Sequence, residues 1–141
     1  MVFFWDTSAL VKRYFAEDGS ARVADLLAGE NDSHIASRLA LAEVPAAIVR
    51  RVQDAGASNT LLVRFERDIA MLFSLSSFDD ALADEAARAV RRHRLRGCDS
   101  LQLAAALRIL ARDSEMVFVC ADDELNAAAS TEGMQVIRPG R

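Results

Sequence analysis

The sequence predicts a single α/β domain, residues 1–141, built on a central parallel sheet of four to five strands with helices on both faces. Three observations lead there. The chain has 141 residues, 52% hydrophobic and 27% charged, with six Gly and two Pro. That is the size of one domain able to bury a core, and the composition excludes disorder or a linker. Short apolar runs alternate with longer segments whose apolar residues recur at helical spacing. The short runs are apolar at consecutive positions, as strands buried on both faces require, which is the mark of a parallel sheet covered by helices.

Val2-Phe3-Phe4-Trp5 is a bulky apolar run ending at Asp6, and it reads as a buried strand. Thr7 and Ser8 offer caps for a helix carrying Leu10, Val11, Tyr14 and Phe15. Gly19-Ser20 opens a second helix with Val23, Leu26 and Leu27 on one face, stopped near Gly29. Residues 33–36 form a weak second strand. Residues 38–53 form a helix ended by Asp54-Ala55-Gly56, residues 58–73 another, and residues 75–78 a short third strand. Asp79 or Asp80 starts a helix with Leu82, Ala86, Val90 and His93 inward, which Gly97 breaks. Asp99 starts the next, with Leu103, Leu107 and Leu110 inward. Residues 116–121 are the clearest strand. Asp122 opens a short helix to Ala129, Gly133 turns the chain into a last strand at 134–137, and Pro139 closes it.

Several function classes drop out. A membrane span needs about 18 consecutive apolar residues, and the longest run is the six from Met116 to Ala121. No positive segment precedes an apolar one at the N-terminus, so a cytoplasmic protein without a signal peptide is expected. Cys98 and Cys120 make no disulfide framework or zinc spacing, and both read as small buried hydrophobes. The net charge of −4 argues against a basic nucleic-acid coat protein. It leaves room for a nucleic-acid enzyme whose site concentrates carboxylates that a metal neutralises. No glycine-rich phosphate loop is present, so ATP hydrolysis and NAD chemistry have no support.

The carboxylates carry the chemistry. Ligands of open parallel sheets bind beyond the carboxyl ends of the strands. Asp6 and Asp122 each follow an apolar strand and precede a helix, and Asp99 stands at a helix start. A helix cap explains any one of them, and Asp99 with Gln102 resembles a capping box. Glu43 is harder to explain. It is the only charged residue in the eleven from Leu39 to Val49, and a carboxylate buried without a partner costs several kcal/mol. An ion pair with Arg50 or a bound metal resolves that cost. Oxygen-only ligands suit Mg²⁺ or Mn²⁺ rather than zinc or copper, and such ions activate water for in-line phosphoryl displacement. Of the two histidines, His34 lies in a weak strand and His93 on an apolar helix face, so neither is placed as a metal-free acid or base. Arg88, Arg91 and Arg92 share a helix face ahead of Arg96 and Asp99. That suits either a solvated helix end or a grip on phosphates.

At these residues the chain resembles a known family. Asp6-Thr-Ser-Ala-Leu-Val-Lys, Ser37-Arg-Leu-Ala-Leu-Ala-Glu43, Gly97-Cys-Asp99-Ser-Leu-Gln-Leu-Ala-Ala-Ala and Cys120-Ala-Asp122-Asp-Glu-Leu look like the four acidic motifs of PIN-domain nucleases. The length and opening resemble the VapC-type toxins of type II toxin–antitoxin systems. The resemblance implies a Mg²⁺- or Mn²⁺-dependent endoribonuclease with one or two ions, cutting structured RNA such as transfer or ribosomal RNA by a metal-activated water. By motif, Asp6 and Asp99 are the central ligands, Glu43 ligates directly or through water, and Asp122 completes the site. Ser8 orients Asp6, and Arg88, Arg91, Arg92 and Arg96 are candidates for holding RNA. A homodimer and a small antitoxin, which blocks the site and represses the shared operon, are implied as well. Two departures stand out: Cys120 occupies a place where the family often has Ser or Thr, and Pro45 follows Glu43 by two residues.

Two other readings remain open at this point. One is a PIN-like module that binds a protein and has lost catalysis. The other is a metal-dependent phosphatase of haloacid-dehalogenase type, which wants a second acid where this chain has Ser8. A response-regulator receiver domain wants a late lysine, and the only lysine is Lys12.

Overall fold

A computed structural model describes residues 1–140. Its strands are β1 (Val2–Trp5), β2 (Ser33–Ser37), β3 (Phe73–Ser76), β4 (Val117–Val119) and β5 (Gln135–Ile137). Its helices are α1 (Thr7–Leu10), continued by a 3₁₀ turn at Val11–Arg13, α2 (Ser20–Leu27), α3 (Ala40–Arg51), α4 (Ala55–Leu72), α5 (Asp80–His93), α6 (Gly97–Leu110) and α7 (Asp123–Thr131). The five strands form one sheet in the order β3-β2-β1-β4-β5, every pair parallel. This is the predicted class, with five strands. All carboxyl ends therefore lie along one edge. The strand order reverses between β1 and β4, the topological switch point at which open α/β sheets form a crevice.

Both faces of the sheet are buried, which explains the unbroken apolar runs. Phe4 and Phe118 pack with Leu82, Leu103 and Leu125 from α5, α6 and α7. Phe3, Trp5, Val117 and Val119 alternate to the other face, against Val23 and Leu27 of α2. A third cluster of Leu10, Val11, Tyr14, Val44, Ile48 and Phe65 ties α1 to α3 and α4. His34 belongs to this interior, its Nδ1 accepting a hydrogen bond from Trp5 Nε1 at 3.1 Å. Burial of the ring lowers its pKa.

Several expectations need correction. α4 starts at Ala55 because Asp54 caps it, accepting from the Ala57 amide at 2.8 Å; β3 follows α4 directly at Phe73, two residues earlier than predicted. Val90 is exposed, and Ala89 takes the inward place on α5. Cys98 is exposed, while Cys120 is buried as expected. Gly97 does not break α5. The helix ends one turn earlier, at Arg94 in the left-handed conformation (φ 55°, ψ 35°), whose amide donates to Val90 O at 2.8 Å. Gly97 is instead the first residue of α6, which places Asp99 inside that helix and not at its cap. Pro45 lies within α3, which runs through it to Arg51.

Candidate active site

Asp6 follows β1 and caps α1. Its side chain is almost wholly buried, and Oδ2 accepts from the Ser8 amide at 3.0 Å and from Ser8 Oγ at 2.5 Å. Ser8 Oγ in turn accepts from the Ala121 amide at 2.9 Å, which joins the ends of β1 and β4 across the switch point. Ser8 thus donates twice to the Asp6 carboxylate. Cys120 Sγ stands 3.6 Å from the same Oδ2, and burial pushes that thiol well above its usual range.

Asp122 caps α7, its Oδ1 accepting from the Leu125 amide at 2.9 Å. Its neighbour Asp123 is engaged by Arg138 at 2.6 Å. Glu43 is half-buried, more accessible than its apolar surroundings in sequence suggest, and the ion pair with Arg50 does not form among the described residues. Thr7 Oγ1 and Gln102 Nε2 donate to Glu43 Oε1 at 2.9 and 3.0 Å. Gln102 is itself buried and accepts from Ser37 Oγ at 2.9 Å. Asp99, in the first turn of α6, makes no hydrogen bond, so the capping-box expectation is wrong.

These bonds share a pattern. Asp6, Glu43 and Asp122 each commit one carboxylate oxygen to the scaffold, and their Oδ1, Oε2 and Oδ2 have no partner within the described chain. Asp99 offers both of its oxygens. No Lys or Arg lies within ion-pairing distance of any of the four among the described residues.

The electrostatics record the crowding. Burial, with further repulsion from Glu43 and Asp99, outweighs the two Ser8 bonds and pushes the Asp6 carboxyl up to about 6. Asp99 is also raised, by burial first and then by Asp122, Glu43 and Glu124, with Arg96 opposing. Glu124 is an acid the sequence reading missed, and so are the positioning donors Thr7 and Gln102. The order Asp122-Asp-Glu124 at a helix start was the only available signal for the first. Nothing local marks the other two, which act across 36 and 59 residues.

This donor set fits a hard divalent cation: anionic oxygens, each unclaimed by the protein, around a buried carboxylate that lacks a counter-charge. The acids are drawn up along one edge and not folded into a finished cage. No group of three acidic, histidine or cysteine side chains among the described residues is already arranged to enclose an ion. Of the arginines singled out in sequence, Arg96 sits beside Asp99, Arg92 pairs with Glu132 at 2.8 Å, and Arg88 and Arg91 are exposed on α5.

Comparison with known proteins yields a consistent set. The family model described as PIN domain matches residues 3–130. The chain is 30% identical over 136 residues to Ribonuclease VapC49 of Mycobacterium tuberculosis, covering 94% of this chain and 92% of that one. The crystal structure of M. tuberculosis VapC20, described as a Sarcin-Ricin loop cleaving toxin, superposes with a TM-score of 0.71 at 18% identity. That match covers 97% of this chain and 99% of that one. VapBC2 from Rickettsia felis, bound to a DNA fragment from its promoter, gives a TM-score of 0.68 at 14% identity and covers 98% of each chain. At those identities the two structures speak for the fold alone.

Proposed function

The chain belongs to the PIN-domain family, and we propose that it is a Mg²⁺- or Mn²⁺-dependent endoribonuclease, the toxin of a type II toxin–antitoxin pair. The observation that carries this reading is the buried Asp6 carboxylate. It is repelled by the nearby Glu43 and Asp99, keeps one oxygen free and has no cationic partner among the described residues. Such an arrangement costs stability and is retained where a cation is to be held. Asp6 and Asp99 hold the ion centrally, Glu43 directly or through water, and Asp122 completes the set or supports a second ion. A divalent ion so bound activates water and offsets charge developing on a phosphodiester.

The chain's own residues supply the rest. Ser8 fixes the Asp6 rotamer, so that Oδ1 is the oxygen presented. Thr7 and Gln102 do the same for Glu43, leaving Oε2. Cys120 stands where the family often has a hydroxyl and offers Asp6 only a weak sulfur donor at 3.6 Å. The substrate is RNA, and structured RNA is favoured by the likeness to a toxin described as cutting the sarcin-ricin loop. The partner is a small antitoxin, by analogy with the toxin–antitoxin complex on promoter DNA. Exposed Leu41, Val49, Val63 and Met71 on α3 and α4 suit protein interfaces, including that of a homodimer. No helix among the described residues is long and apolar enough to cross a membrane.

The test is cleavage of total cellular RNA by the purified chain with Mg²⁺, with Mn²⁺ and with chelator, beside Asp6→Asn, mapping new ends by sequencing. Discrete metal-dependent cuts with 5′-phosphate ends, absent from Asp6→Asn, are expected. No cuts under any metal from folded protein freed of its partner would replace this reading with the binding module.

A further inference from the structure

An unusual backbone conformation stands at the end of α5, near the acidic edge. Arg94 is the only residue other than glycine with positive φ among those described. Placing a side chain there costs about 1 kcal/mol relative to glycine, and strain of this kind gathers at functional positions. Its surroundings give the strain a use. Arg92, His93, Arg94 and Leu95 at the end of α5 line a cavity of about 470 Å³ whose opposite wall is Glu124, Ala127, Ala128 and Thr131 of α7. Glu124 stands in the first turn of α7, two residues after the capping Asp122, so this cavity adjoins the acidic edge. Arg92 also lines a second cavity of about 280 Å³, together with Arg88, Arg108 and Glu85. The two hollows therefore share Arg92 as a common wall and lie along α5 as a track in two parts.

The basic side chains on that track differ in their commitments. Glu132 holds both Arg92 and His93, the latter at 2.7 Å. Arg108 is held by Asp79 and Glu85. Arg94 and Arg88 have no carboxylate partner. Arg91 lines neither cavity.

We propose that this track is the path of the RNA strand leaving the acidic site, with Arg94 gripping the first backbone phosphate beyond the cut and Arg88 a later one. Arginine suits the task because its fork can take two oxygens of one phosphate. One turn of helix, about 5.4 Å, separates Arg88 from Arg92, and Glu132 holds Arg92, the wall common to the two hollows. Arg91, which shares the basic sequence run, has no part in it. The proposal rests on the ribonuclease reading above.

The experiment measures binding of a fluorescein-labelled random-sequence RNA pool in Mg²⁺, using Asp6→Asn so that nothing is cut. In that background Arg94→Gly keeps the left-handed turn without strain. It is expected to hold or raise the melting temperature while RNA affinity falls about tenfold and the salt slope drops by about one. Arg88→Ala loses less, Arg91→Ala nothing, and Arg94→Lys restores part of the loss. Affinity unchanged in Arg94→Gly, or an equal loss in Arg91→Ala, overturns the track and leaves the nuclease reading standing. Wild-type protein with no affinity for RNA in Mg²⁺ overturns both. Loss of binding to polyglutamate with RNA binding intact would assign Arg94 to an acidic protein partner and overturn the proposal as well.

Discussion

Asp6 is the residue on which stability and function pull in opposite directions. Its carboxyl titrates near 6 in the fold against an ordinary value of 3.8, so between about pH 4 and 6 the folded chain retains a proton that the unfolded chain has lost. Stability therefore falls as pH rises through that window, by about 3 kcal/mol in full. Asp6→Asn keeps an acceptor for Ser8 and removes the buried charge. It should melt higher than wild type above pH 6 and converge with it near pH 4, while abolishing cleavage. Paired thermal melts across pH check this, and a variant that melts lower at neutral pH refutes it. His34 acts in reverse: burial lowers its pKa, so the stability it contributes is present above about 6.5 and lost as pH falls below. Gln102 makes a second residue-scale case. It links Ser37 to both Glu43 and Thr7, and Gln102→Leu should cost about 2 kcal/mol. It should also weaken Mn²⁺ binding by calorimetry, whereas a merely structural role would leave affinity intact.

Helices and strands differ in how openly the sequence announces them. β1 and β4 were legible because both their faces are apolar, and Asp6 and Asp122 followed as the residues leaving them. From its spacing Asp99 read as a cap, and only the family resemblance made it a ligand, since a local reading cannot tell a capping aspartate from one a turn further in; Arg96 holds the cap position and Asp99 stays free. Glu43 was visible by contrast with its neighbours, yet its partners were not, because they lie on α1 and α6. Arg94 was hidden inside a basic run whose register against the end of α5 depends on where that helix stops. α4 is a further element with an unadvertised anchor. Its buried Asp68 accepts from Arg13 Nε at 2.7 Å and from Tyr14 Oη at 2.9 Å. Asp68→Ala strands both donors and should destabilise by about 2–3 kcal/mol, reduced from the fully buried case because Arg13 is partly solvated. Urea unfolding measures it, and Asp68→Asn should recover part of the loss.

For the molecule as a whole, charge and metal are linked. The net charge is −4, and four acids gather at the edge of the sheet. Neutralising that edge brings the chain near balance and lets the arginines of α5 dominate the approach of a polyanion. RNA affinity should accordingly rise on adding Mg²⁺; equal affinity with and without it counts against this account. Mn²⁺ should raise the melting temperature of wild type and leave Asp6→Asn and Asp99→Asn unmoved. Differential scanning fluorimetry separates these outcomes in one titration.

The Ser8 hydroxyl closes the seam between β1 and β4 while holding the carboxylate at its end. The Ala121 amide is therefore tethered to the site through a single oxygen, although it touches nothing that binds there. Its hydrogen-exchange rate becomes a remote gauge: whatever draws Asp6 into place stiffens Ser8 and slows the Ala121 proton, and Ser8→Ala silences the signal. A spectroscopist following one backbone resonance could then watch the acidic edge fill and empty without labelling the ligand.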